Sequence, residues 1–439
     1  MIVNLAFQCF HSLFVLVATI YVFFLRCDYY VLVLLYSRKK KMIHGQWFSL
    51  LKRIMMLNKF PTFIARLIGS SLVLVAFNWQ VVYAQTTPAL VDTNFDVELV
   101  VDGLPKSWSI NLSPGNEIFV TDRNGSVIVY DQQWNKKTFT TPITDLIVDS
   151  QGGFLDLAFH PDFDTNSWIY LSYSAGTSDS NRLKVIRFKM PNSGNEIKTV
   201  EDIFSVNTNK NTPVHYGGRL AFLADNSLLI STGDGFDFRE QAQVKSSHLG
   251  KIIRVSDIGK ALSDNPFFEK EMPNSNASYV YSIGHRNPQA LLVSGSGLII
   301  SHEHGPAGGD EINIIKKGNN YGWPIITNGQ DYSGAVITPF TEYPGMQQPD
   351  FDWTPSIAPS GMILYGADKF PSLSQHLIVT SLKFKQLRAL LLNGDKVSNE
   401  RILLPNFEHR LRDIEQDSDG NILLLTDGDH TKIFKLTTK

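Results

Sequence analysis

The sequence predicts an all-β fold, a six-bladed β-propeller, carried behind an N-terminal hydrophobic leader. Two observations point to it. A short apolar strand, a polar turn with Gly, Asp or Asn, and a second strand recur six times. Outside the leader, no segment shows sustained helical periodicity. The copies are EIFVTDRNGSVIVYD from Glu117, WIYLSYSAG from Trp168, SLLISTGDG from Ser227, LIISHEHG from Leu298, HLIVTSLKFKQLRALLL from His376 and NILLLTDGDHTKIFKL from Asn421. Successive starts lie 45 to 78 residues apart, about one blade each. A two-sheet sandwich also uses many short strands, but six similar hairpins point to radial repetition. The strand near Asp96 to Val101 is expected to pair with the last blade and close the ring, leaving no free edge.

The first 84 residues have another character. Met1 to Leu25 is almost wholly apolar, and the basic cluster Arg38-Lys39-Lys40-Lys41 follows. A second apolar run, Leu67 to Phe77, is preceded by Lys59 and Arg66 and followed by Val82-Tyr83-Ala84. That is the layout of a secretory signal peptide over 55–84, removed before Gln85, with translation starting at Met55 or Met56. The earlier run is then an over-extended start or a membrane anchor, and the first reading is favoured because two tandem export signals are redundant. The expectation is a periplasmic propeller of residues 85–439, touching a membrane only through a retained leader.

Charge and cysteine content narrow the function. After residue 84 the chain carries 31 Lys/Arg against 41 Asp/Glu, a net charge near −10. Such an acidic domain is a poor partner for nucleic acid or anionic membranes. Both cysteines, Cys9 and Cys27, lie in the leader, so the domain has no disulfide and no thiolate chemistry. Its stability rests on its core alone.

Several loops carry candidate chemistry. HEHGPAGGDEINIIKKGNNYGWP, from His302 to Pro324, is dense in glycine and in acidic, amide and imidazole groups. Glycine lets backbone approach a ligand, and carbonyls beside Asp310 and Glu311 suit a hard cation such as calcium. An ordinary polar turn around one strand would have the same composition. His215 stands in PVHYGGRLAF at the entry to a strand, as a base or as a hydrogen-bonded structural histidine. Arg286 and Asn287 lie in SIGHRNPQAL, where Pro288 fixes the turn. Arg410 and Arg412 flank Leu411, and strand alternation would put both on one face, which is costly unless an anion sits between them. Lys383, in TSLKFKQLR, reads as an exposed lysine.

Taken together, the chain resembles the exported quinoprotein aldose sugar dehydrogenases, the glucose/sorbosone dehydrogenase family that uses pyrroloquinoline quinone (PQQ). Eleven collinear blocks carry the resemblance: QGGFLDLAFHPDF at Gln151, HYGGRLAF at His215, LGKIIRVS at Leu249, DNPFF at Asp264, GHRNPQAL at Gly284, EHGPAGGDEIN at Glu303, GNNYGWP at Gly318, DYSG at Asp331, SGMILY at Ser360, TSLK at Thr380 and RLRDIEQDSDGNILLLTD at Arg410.

The resemblance implies that PQQ, a tricarboxylate, is bound by Arg286, Lys383, Arg410 and Arg412, with polar contacts from Gln151, Asn287 and Tyr332. Cations opposite carboxylates and a developing quinol charge are a sensible match. It further implies a calcium ion on the Gly305 and Pro306 carbonyls, touching the cofactor, and a structural calcium on the Glu311 carboxylate and the Tyr321 carbonyl. Oxygen-only ligation fits calcium rather than zinc. His215 matches the proton acceptor for the anomeric hydroxyl of an aldose, the product being a lactone and the electrons passing to a quinone or other external acceptor. The loops 207–212 and 329–345 would line the sugar pocket. One departure stands out: some family members carry an acid just before this histidine, and here it is Val214, so the group that orients the imidazole is left open. Two further readings compete, a calcium-dependent lactonase-like hydrolase with a central carboxylate/Asn metal cage, and a non-catalytic binding propeller.

Overall fold

In the computed structural model, residues 89–90, 95–405 and 407–438 are described. The expected leader and signal peptide lie outside them. Two strands come first, β1 (Ala89–Leu90) and β2 (Phe95–Leu104). Blade 1 is β3 (Ser107–Leu112), β4 (Ile118–Asp122), β5 (Ser126–Tyr130) and β6 (Lys136–Thr140). Blade 2 is β7 (Phe154–Phe159), β8 (Ile169–Thr177), β9 (Ser180–Phe188) and β10 (Val200–Ser205). Blade 3 is β11 (Gly217–Phe222), β12 (Leu228–Thr232), β13 (Lys251–Val255) and β14 (Val280–Ile283). Blade 4 is β15 (Pro288–Val293), β16 (Ile299–Glu303), β17 (Asp310–Ile315) and β18 (Phe351–Trp353). Blade 5 is β19 (Pro359–Leu364), β20 (His376–Ser381), β21 (Gln386–Asn393) and β22 (Lys396–Ile402). Blade 6 joins β23 (Leu411–Gln416), β24 (Ile422–Thr426) and β25 (Thr431–Thr438) to β2, with Phe95 opposite Thr438.

The six hairpins read from the sequence are the second and third strands of the six blades, and the N-terminal strand closes the ring as expected. The sequence gives no hint of β1, which pairs parallel with β22 and adds a fifth strand to blade 5.

Both faces of each blade are buried, which explains apolar runs where a one-faced sheet would alternate. In β12, Leu228 and Ile230 pack towards blade 2 with Leu183 and Val185, while Leu229 packs towards blade 4 with Leu291 and Ile299. In β24, Ile422 and Leu424 face blade 5, and Leu423 and Leu425 face blade 1. One apolar cluster fills each blade–blade interface.

The innermost strands repeat a second feature. In every blade the register between the first and second strands shifts near the start of the first. Such a bulge re-aims side chains. Asp156, Arg219, Gln289, Ser360 and Arg412 occupy these irregular stretches, and all are buried. Arg219 pairs with Asp413 at 2.8 Å and Asp156 at 3.3 Å, donates to the Gln289 and Ser360 carbonyls at 2.7 and 2.8 Å, and lies over the Trp108 ring at 4.3 Å. One guanidinium from blade 3 thus touches the inner strands of the other five blades. It occupies the centre, where the hydrolase reading requires a metal cage.

Candidate active site

The ladder registers place the site residues. Gly217 faces Thr232, so two residues further along the same hairpin His215 faces Asp234. By the same step from Pro288 opposite Glu303, Arg286 faces Gly305. Leu411 opposite Thr426 sets Arg410 against Asp427, and Ser107 opposite Asp122 sets Lys106 against Arg123. In blades 3, 4, 6 and 1 the residues one or two places beyond the last ladder pair of the first hairpin therefore lie at one end of the ring.

His215 is the most constrained of them. Its backbone has φ 51°, a left-handed conformation rare for a residue with a Cβ. Gln151 Oε1 accepts its N–H at 2.8 Å, and the opposing strand end is Gly233, where a Cβ would come within 2.1 Å of the His215 carbonyl oxygen. Nδ1 lies 2.7 Å from Asp234 Oδ1. Asp234 also accepts the Phe236 amide at 2.8 Å and Trp323 Nε1–H at 2.8 Å. Burial alone would raise this carboxyl, but the His215 hydrogen bond and charge, with Arg286 and the Phe236 amide, hold it below the usual carboxylate range. Burial pushes the His215 imidazole down, Asp234 pulls it up, and Arg286 and Lys210 add to the downward shift. Both shifts favour an unprotonated imidazole beside a carboxylate, the arrangement in which Nδ1–H donates to Asp234. Nε2 makes no hydrogen bond among the described residues and keeps its lone pair.

Two cavities are lined by neighbours of His215. The first, about 240 Å³, is lined by Arg123, Gln151, Asn287, Arg410, Arg412 and Tyr216 among others. Arg412 is buried, gives Nη2 to Gln289 Oε1 at 2.9 Å and, among the described residues, leaves Nε without a partner. Burial first, and then Arg219, lower its guanidinium to about 10. Arg410 differs: its side chain is 50% exposed and Nε is 2.8 Å from Asp427. The second cavity, also about 240 Å³, is lined by Phe236, Arg286, Pro306, Trp323, Asp331 and Tyr332 among others. Phe236 packs edge-on to the His215 ring at 5.2 Å, while Tyr216 and Gly217 line the first cavity, so His215 has neighbours in both although it lines neither.

The glycine-rich segment is ordered around carboxylates. Asp310 gives one oxygen to the Gly305 amide at 2.8 Å and the other to the Ala358 amide at 2.7 Å, which fixes the turn. The Gly305 carbonyl accepts Arg286 Nη1 at 2.6 Å, and the Pro306 carbonyl accepts Ser356 Oγ at 3.3 Å. A cation on the Gly305 carbonyl would compete with Arg286 for it. Glu311 and Tyr321 line a small separate cavity with Glu303. Glu303 is engaged by the Arg286 amide, by His285 Nδ1 and by Asn313 Nδ2 at 3.3 Å, whereas among the described residues Glu311 has only Asn313 Nδ2, at 2.8 Å. Burial, and then the neighbouring Glu303, raise the Glu311 carboxyl well above its ordinary value. A buried carboxylate beside another, short of partners, is a donor set suited to a hard cation.

The structure thus brings Gln151, Asn287, Arg410 and Arg412 to one cavity and Arg286 and Tyr332 to its neighbour. Lys383 is exposed, 5.4 Å from the Phe384 ring, and does not line either cavity, although Leu382 reaches the first. Gln151 and Asn287 also brace the His215 turn, Asn287 Oδ1 accepting the Gly217 amide at 3.2 Å. Asp234, Arg123, Gln289 and Arg219 escaped the sequence reading. Asp234 was visible only as a turn residue of STGDG, and its role needs the register.

The sequence profile of the Glucose / Sorbosone dehydrogenase family matches residues 104–435. An uncharacterised Synechocystis protein is 36% identical over 77% of this chain and 85% of its own length. Aldose sugar dehydrogenase YliI of Escherichia coli is 33% identical over 78% of this chain and 93% of its own. The crystal structure of the soluble aldose sugar dehydrogenase of Escherichia coli, in its apo-form, superposes with a TM-score of 0.73 at 32% identity, over 79% of this chain and 100% of that one. Quinoprotein glucose dehydrogenase B of Acinetobacter calcoaceticus is 31% identical over 53% of each chain.

Proposed function

The chain belongs to the Glucose / Sorbosone dehydrogenase family, and from that premise we propose that it is an exported quinoprotein that oxidises the anomeric carbon of aldose sugars to lactones. The observation that carries this reading is His215, an imidazole held at Nδ1 by the Asp234 carboxylate, with Nε2 unbonded among the described residues, flanked by Tyr216 and Gly217 of one cavity and packed on Phe236 of the other. Arg412, buried with an Nε unpartnered among the described residues, fits a carboxylated ligand, as do Arg410 and Arg123 in the same cavity. Gln151 and Asn287 would supply polar contacts there, and Arg286 and Tyr332 would do so from the sugar side. Bound in that cavity, PQQ would supply the ortho-quinone that takes up the hydride equivalent of the sugar.

The residues then have defined tasks. His215 Nε2 accepts the proton of the anomeric hydroxyl, and the Asp234 carboxylate stabilises the imidazolium this creates. Phe236, Trp323 and Tyr332 offer aromatic faces to the apolar side of a sugar ring. Arg286 brings positive charge to the same pocket, where negative charge develops on the sugar oxygen. Calcium is assigned to the Glu311 and Tyr321 cavity and to the Gly305 and Pro306 carbonyls, the second position requiring Arg286 to release Gly305. Electrons leave to an external acceptor, and the signal-peptide layout of residues 55–84 supports a periplasmic location.

The test uses the purified chain with calcium and PQQ, a panel of aldoses and an artificial electron dye. Sugar-dependent dye reduction is expected. A chain that binds PQQ yet reduces no dye with any aldose would return the propeller to the binding reading. Sequencing the N-terminus of protein taken from cells checks export, with a start near Gln85 expected, and an intact residue 1–50 segment in the membrane fraction would overturn the over-extended-start reading.

A further inference from the structure

We propose that Lys210 is a positioning residue for the His215–Asp234 pair: its buried ammonium gathers the loop carrying His215 and packs it against the loop carrying Asp234. Lys210 lies in the connection between β10 and β11. Its Nζ donates to the Thr212 carbonyl and, at 2.8 Å, to the Val214 carbonyl, and it stands 3.5 Å over the Tyr216 ring. Residues 212, 214 and 216 therefore face one ammonium in turn. That leaves His215 at the apex of the curl with its φ of 51°. The base of the curl is fixed by two backbone hydrogen bonds to Asn181, each 2.8 Å.

The same side chain meets the second loop. A Cβ on Gly235 would lie 2.8 Å from Lys210 Cδ, so the lysine stem packs directly beneath the residue after Asp234. Thr212 Oγ1 adds a tie to the Gly235 carbonyl at 2.5 Å. The two halves of the catalytic pair thus rest on one stem.

A buried ammonium with carbonyl partners alone is an expensive choice, since no carboxylate pairs with it among the described residues. Burial pushes it down to about 7, with Asp234 acting in the opposite sense. A simple apolar side chain of the same length would avoid that cost but could not gather the carbonyls. Lys210 also places positive charge near His215 without bonding to it. The charged and titratable groups that bear on His215 are Asp234 after β12, Arg286 before β15, His304 after β16 and Lys210. Only Lys210 shares its loop.

The inference rests on the dehydrogenase reading for turnover, but its geometric part does not. Full-length chains labelled at histidine, without cofactor, are compared for wild type, Lys210→Met and Lys210→Gln, with His215→Asn to assign the ring signals. In wild type the Nδ1 proton facing Asp234 should resonate far downfield. In Lys210→Met that signal should shift or vanish and His215 should titrate at higher pH, because a positive neighbour is gone. With PQQ, calcium and aldose, kcat should fall at least tenfold while KM and PQQ affinity stay within twofold. Unchanged ring signals and kcat within twofold would overturn the proposal. If Lys210→Met does not fold, Lys210→Gln is judged by the same signals and the same limits. Because the ring signals need no cofactor, a wild type inactive on every aldose would sink the dehydrogenase reading and leave this test standing.

Discussion

Replacing Asp234 by Asn removes one charge from the candidate pair while keeping the shape of the side chain. The carboxylate receives three donors: His215 Nδ1–H and the Phe236 amide on one oxygen, and Trp323 Nε1–H on the other. Asparagine offers one acceptor oxygen and one NH2 group, so in either orientation a donor meets a donor. With the NH2 towards Trp323, the buried indole N–H loses its partner, at a cost of about 1–3 kcal/mol. With the NH2 towards His215, the Phe236 amide is orphaned and the imidazole must offer its lone pair at Nδ1. Its proton then sits on Nε2, the atom meant to receive the substrate proton. Neither state retains the carboxylate that stabilises the imidazolium. The expected loss in kcat is about 10²–10⁴, the range of general-base assistance.

The pH dependence fixes the sign independently. Asp234 raises the His215 proton affinity against burial, Arg286 and Lys210. Without the carboxylate the imidazole protonates at still lower pH, so the acid limb of kcat/KM should move down in pH, opposite to the shift expected for Lys210→Met. Asp234 does not line the cation-rich cavity, so PQQ affinity should stay within twofold. Dye-coupled turnover across pH, with cofactor titration in parallel, reads all three quantities. A variant with kcat within threefold of wild type and an unmoved acid limb would refute the role assigned to the pair.

Other expectations follow from the same contacts. Arg412→Ala should weaken PQQ binding by about 1.5–3 kcal/mol, the scale of a charge-assisted hydrogen bond from a buried donor. Arg410→Ala should cost less, about 0–1 kcal/mol, because its side chain is half exposed and already paired with Asp427; equal losses would contradict the environments described. Chelation should lower Tm and abolish turnover, with calcium restoring both better than zinc. In the chelated chain the raised Glu311 carboxyl contributes stability while protonated, and this is lost as pH rises through its elevated value. Tm should therefore fall with rising pH in chelator and fall less in calcium, and parallel curves would remove the ion from Glu311. Asp413→Ala should destabilise the fold by about 3–5 kcal/mol in denaturant melts, since it strips Arg219 of its closest carboxylate while leaving the guanidinium buried.

The architecture was legible because the strand–turn–strand signal is local. NILLLTDGDHTKIFKL and its five counterparts form hairpins whose two faces are both buried, and the sequence shows that as apolar runs broken by turn residues. The innermost strands were less legible for a physical reason. Their opening residues turn polar groups such as Arg219, Gln289 and Asp413 onto the axis through bulges, so SWSINL, GGRLAF and LRDIEQ lack a clean period. Arg410 and Arg412 show the same limit from another side. Strand alternation predicted one shared environment, and both do line one cavity, but Arg410 precedes β23 and reaches solvent whereas Arg412 sits at the bulge and is buried.

The orientation of His215 shows why a sequence neighbour was the wrong place to look for its partner. Successive residues in an extended segment direct their side chains apart, so an acid at 214 and a histidine at 215 need a special turn to meet. Here Val214 contributes its carbonyl instead, to Lys210. The group that meets Nδ1 comes from position 234, nineteen residues away along the chain and directly opposite across the β11–β12 ladder. Arg286 finds Gly305 two residues, and Arg410 finds Asp427 one residue, beyond the last ladder pair of their own blades. A propeller repeats this geometry at every blade, so each hairpin can bring two residues distant in sequence to the same rim. What selects the chemistry is the residue type at those two positions, and in blade 3 they are an imidazole and a carboxylate.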